Sequence, residues 1–137
     1  MAVRPTISVQ MQLAGSSGGF STVTGDVLSN PGISCRYGIF GDSPVDRVAG
    51  AGTMEFSLRN DGRNSGANQG LYSPEHANLR SGFGLGIATR LSITYNASTV
   101  NKWYGWVDNI KPDPGKFLAQ RSHVRCADWF DRAATQK

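Results

Sequence analysis

Gly41-Asp42-Ser43 sets a hydroxyl beside a carboxylate in a turn-forming triplet, as around the nucleophile of some esterases. Such a serine needs a base in reach and a third group to orient that base. The two histidines, His76 and His123, sit in no supporting motif, so the triplet reads as a turn. The run Gly82-Phe83-Gly84-Leu85-Gly86 has the glycine content of a phosphate cradle. A cradle must lead into a helix, whereas residues 87–95 alternate like a strand, so the glycines read as pliable backbone entering it. Asp108 and Asp113 have the chemistry to hold a hard cation, but they straddle a proline-rich turn without a third ligand and read as solvated turn carboxylates. Asn96-Ala97-Ser98 matches a glycosylation acceptor and reads as a hairpin turn. Cys35 and Cys126 lie far apart in the chain, with no Cys-x-x-Cys spacing for zinc. They read as free thiols of a reducing compartment, able to pair only if their strands are neighbours. No catalytic residue, metal site or cofactor is expected.

Trp103, Tyr104 and Trp106 form the densest aromatic cluster. Aromatics on one strand can stack on sugars or bases. Their apolar neighbours favour a core and interface role instead.

The elements that must position these side chains are mostly strands. In residues 6–13, Ile7, Val9, Met11 and Leu13 share one face, with polar residues on the other. Residues 53–59 alternate in the same way, with Met54, Phe56 and Leu58 inward. Residues 87–95 place Leu91, Ile93 and Tyr95 together. Residues 99–110 place Trp103, Gly105 and Val107 on one face, and Tyr104, Trp106, Asp108 and Ile110 on the other. Weaker strands are expected within 20–28, 33–38 and 123–128, and a turn over 111–116. Asp128 is suited to cap a closing helix that turns Trp129, Phe130 and Ala133 toward the sheet. The fold class is mainly β: an antiparallel sandwich or small barrel of about seven strands with a short C-terminal helix.

Residues 60–86 are rich in Gly, Asn and Ser and read as one long loop, with at most a helical turn after Ser73. Such a loop can reach a neighbouring molecule. Arg63, Tyr72, Arg80 and Phe83 are its expected interface side chains, joined by Trp103 and Trp106. Removing residues 64–82 is then expected to spare the fold and impair assembly.

At 137 residues the chain makes one domain, with core enough to fold unaided. Its net charge of +4 is spread without a basic block, so no specific nucleic acid is expected as a partner. No apolar run approaches a membrane span, and the first residues lack the apolar centre of a secretory signal.

Four segments, TGDVLSNPGISCRYG, AGTMEFSLRNDGRN, WYGWVDNIKPDPGK and VRCADWFDRAA, resemble tail-tip or baseplate proteins of tailed bacteriophages, specifically the β-rich first domain of hub-like proteins. The likeness runs from about residue 22 to residue 134 and rests on structural residues. It implies a virion component, made in the host cytoplasm, that forms a ring or trimer with copies of itself. Such a protein joins the tail tube to other tip or fibre components, without catalysis. Competing readings are a carbohydrate-binding module with Trp103 or Trp106 stacked on a host-surface glycan, an esterase using Ser43, and a single-strand nucleic-acid binder.

Overall fold

The computed structural model describes residues 3–38, 45, 50–116 and 119–136. The strands are Thr6–Met11 (β1), Ser21–Thr22 (β2), Ser34–Arg36 (β3), Thr53–Arg59 (β4), Ala88–Tyr95 (β5), Ser98–Asp113 (β6) and Arg121–Ala127 (β7), followed by the helix Trp129–Thr135 (α1). All seven strands join one antiparallel sheet in the order β2-β1-β5-β6-β7-β4-β3. The expected mainly β class, strand number and closing helix are all present. The sheet does not close into a barrel, and its inner face is covered by irregular chain.

Alternation sets the inner face. Val9, Met11, Met54, Phe56, Leu58, Leu91, Val124 and Cys126 are buried on it, around Trp103 and Val107 of β6. Gly105 lies between those two, and a Cβ there would stand 2.3 Å from both the Ala127 carbonyl oxygen and the Trp103 ring. Only a bare backbone allows that approach. The turn at Asn96-Ala97 has both residues at positive φ, the requirement of a two-residue hairpin between β5 and β6.

Period two fails in β6, which carries two bulges. The pairing slips at Lys102, between Leu91↔Trp103 and Ser92↔Asn101, and again at Asp108, between Val107↔Cys126 and Asn109↔Arg125. Each inserted residue reverses the parity. Ile110 therefore pairs with Val124 and packs against the core, not on the Trp106 face expected for it. The strand also continues through Lys111-Pro112-Asp113, where a turn was expected. There β6 pairs only with β7, and proline is tolerated on such an edge.

Asp128 caps α1 as expected. One carboxylate oxygen accepts from Phe130 N (3.0 Å) and the other from Gly52 N (2.8 Å). The expected inward face of α1 is corrected: Trp129, Phe130 and Ala133 are all exposed. The helix touches the sheet through Arg132, whose guanidinium lies 4.2 Å over the Trp106 ring. Cys35 and Cys126 are free thiols. Both flank Met54, with β4 between their strands. Two strand spacings, roughly 10 Å, exceed disulfide reach. Burial raises both thiols, Cys126 to about 12.

Candidate functional site

The loop expected to reach a neighbour instead closes the protein's own core. Leu71, Tyr72 and Phe83 are buried in the same cluster as Trp103. The Tyr72 and Phe83 rings meet edge-on at 5.1 Å. Asn60 shapes the loop's entry: its Oδ1 accepts from Tyr72 N (2.8 Å), and its Nδ2 donates to Ser73 Oγ (2.6 Å). Asn64 closes the next turn, accepting from Gly66 N (3.1 Å) and donating to the Asn68 carbonyl (2.7 Å). Short Asx side chains satisfy the backbone that a strand ladder would otherwise satisfy. After Ser73 the chain forms successive turns, with no helix. Gly82, at φ +80°, seals the far edge, where a Cβ would lie 1.7 Å from the Leu13 carbonyl oxygen.

One buried carboxylate latches this lid. Asp26 ends a 3-10 turn, Thr24–Asp26, beside β1. It accepts from Ser65 N (2.7 Å), Ser65 Oγ (2.5 Å) and the Tyr72 hydroxyl. Arg80 Nη1 donates to the same hydroxyl (2.8 Å) and stands 3.9 Å from the carboxylate. Burial, and next the hydrogen bond to Asp26, push the Tyr72 phenol up to about 12. At the lid's start Asp61 is buried against the Arg63 side chain (2.7 Å), whose hydrogen bond holds that carboxyl below its usual range.

Three of the six expected interface residues are therefore corrected. Tyr72, Phe83 and Trp103 are enclosed by the chain itself, because a sheet with one apolar face must cover it and the lid carries the nearest aromatics. Arg80 is half-buried and committed to Tyr72. Arg63 is exposed, and Trp106 is half-buried on the opposite, outer face of the sheet. The lid is part of the core, so removing residues 64–82 would not spare the fold.

The outer face carries two distinct regions. Along β1, β5 and β6 runs a cation–aromatic ribbon. Arg90 lies 4.2 Å over the Phe20 ring, Phe20 meets Tyr104 at 6.3 Å, Tyr104 meets Trp106 at 5.3 Å, and Arg132 closes the series. With Arg132 over the indole, that ring face of Trp106 is already occupied. Across β4, β7 and β6, the register sets Ser57, His123 and Lys111 in one row and Arg59, Arg121 and Asp113 in the next. Ser57 Oγ and His123 Nδ1 are 3.3 Å apart, and His123 Nε2 stands 3.9 Å from Glu55. Sequence reasoning passed over this cluster. Its signal was the outward parity of Ser57, Arg121 and His123, which becomes a site only once β4 and β7 are known to pair.

The motifs weighed from sequence do not converge. Asp108 faces Arg125 (3.5 Å), and Asp113 holds Arg121 (3.0 Å) and Gly115 N (3.0 Å). His76 accepts from Asn78 N (3.1 Å) within the lid. Gly86 leads into β5, and Gly41-Asp42-Ser43 lies outside the described residues. Among the described residues, no group of three or more His, Cys, Asp or Glu is placed to hold a metal, and no helix is long and apolar enough to cross a membrane.

The far end of the inner face is different. Beyond the Val9–Leu91–Trp103 row the sheet continues for one more apolar row, Ile7↔Ile93↔Val100. The lid does not reach it: Ile7 is 49% exposed, Val100 50% and the adjoining Tyr95 56%. β2 pairs only with Gln10 and Met11, and β7 meets β6 only from Trp106 onward. Three strands thus project with one apolar face and, among the described residues, no strand on either edge.

The chain matches no protein-family model and no curated protein.

Proposed function

We propose that this protein is a structural component of a bacteriophage tail tip or baseplate. It assembles with copies of itself and connects the tail tube to other tip or fibre components. The observation that carries the reading is the projecting three-stranded end. Strand edges that carry no strand partner among the described residues, beside exposed Ile7, Val100 and Tyr95, are a liability in an isolated molecule and a ready contact in an assembly. Strand addition supplies backbone hydrogen bonds, and the apolar row supplies buried area. The resemblance carried by the four segments supports the setting.

The test has two parts. Sedimentation of the purified protein is expected to give an oligomer at micromolar concentration, with Val100→Asp weakening association at least tenfold while circular dichroism stays unchanged. An antibody to this chain is expected to mark the tail end of imaged particles. A monomer at every concentration, or label away from the tail, would refute the proposal.

A further inference from the structure

A pocket of about 520 Å³ opens on the outer face where β4, β7 and β6 meet the turn at Pro31. Pro31, Pro112 and Pro114 are among its lining residues and give it rigid, largely apolar walls. Ser57, only 2% exposed, and His123 lie at its base, bonded to each other at 3.3 Å. Exposed Lys111 and Arg121 stand at the opening. Arg121 spends its Nε on Asp113 (3.0 Å), which fixes the guanidinium and leaves its Nη atoms without a protein partner among the described residues. Among the same residues Lys111 makes no ion pair. Two cations thus meet one carboxylate over a polar base flanked by proline rings.

This arrangement suits a particular ligand. A lone ion would satisfy the cations and leave the proline surfaces wet. A neutral ring would cover the prolines and leave Lys111 unmatched. The volume falls in the range of small-molecule sites and admits a whole ring. We propose that the pocket binds a hexose-sized acid, a sugar bearing a phosphate or carboxylate. Lys111 and the Nη edge of Arg121 take the anionic group, the prolines take the ring, and Ser57 and His123 meet its hydroxyls. Guanidinium and ammonium donors both suit such oxyanions. The pocket does not involve the projecting end, so it stands apart from the assembly reading.

The test titrates the whole protein with glucose 6-phosphate, glucuronate, inorganic phosphate and glucose, following the His123 imidazole resonances. The expected result is a saturable shift at low millimolar concentration with at least one of the two sugar acids; the tighter of them names the anionic group. Inorganic phosphate should bind at least tenfold more weakly, and glucose should give no shift. Lys111→Ala and Arg121→Gln, both on exposed side chains, should each weaken the sugar acid at least tenfold with an unchanged melting temperature. No saturable shift with either acid, equal binding of inorganic phosphate or of glucose, or full binding by Lys111→Ala would overturn the proposal.

Discussion

The two ends of the inner face are built from the same three strands and the same residue types, yet they end differently. Val9, Leu91 and Trp103 are sealed beneath the lid, while Ile7, Ile93 and Val100, one row away, are left partly or largely open. Apolar alternation marks which face of a strand seeks cover. It does not say how far the cover extends. That limit is set by a carboxylate far away in the chain, since Asp26 fixes where Ser65, Tyr72 and Arg80 come to rest.

The largest effect expected from breaking this contrast is loss of the fold on deleting residues 64–82. Leu71 and Tyr72 go with the lid, and whole buried side chains of this size cost several kcal/mol each, against a total stability of about 5–15 kcal/mol. Circular dichroism of the deletion variant should show no cooperative melt. Next, Asp26→Ala should cost about 3–4 kcal/mol by denaturant titration, because Ser65, Tyr72 and Arg80 lose a shared buried acceptor. Tyr72→Phe should cost about 1–2 kcal/mol, since one hydroxyl leaves while the ring stays packed.

Tyr72 also gives the lid an alkaline limit. Its folded pKa of about 12 lies above the ordinary value of 10, so the neutral phenol favours the folded state. The resulting stability is complete below pH 10 and is lost as pH rises from 10 toward 12. Stability measured across that window should fall more steeply in the native protein than in Tyr72→Phe. Smallest in stability is Val100→Ser at the bare end, expected within about 0.5 kcal/mol of the native protein. Its effect should instead appear as weaker self-association in sedimentation.

Much of the strand framework was legible because burial and period agree. The alternating faces of β1, β4 and β5, the hairpin at Asn96-Ala97 and the cap at Asp128 all follow from local chemistry. The second parity reversal of β6 was not legible, since a bulge at Asp108 reflects its pairing with β7 and not a preference of that residue. The lid was hidden for a related reason. Its aromatics are sparse among Gly, Asn and Ser, so Tyr72 and Phe83 looked like contacts for a neighbour when their partner was the chain's own sheet. The Ser57–His123–Lys111 row needed long-range pairing that no local pattern encodes. In α1, Trp129 and Phe130 look like buried anchors by composition, yet Arg132 makes the contact.

The two bulges of β6 divide that strand into three stretches whose inward positions follow different counts. A one-residue deletion at Asp108 would remove the second bulge and leave Ile110 inward opposite Val124 and Lys111 outward opposite His123, so the corner that holds the proline-lined pocket would keep its facing. Residues 98–107 would keep their facing. A bulge is thus the one place in the strand where a residue can be lost without reversing the stretches on either side.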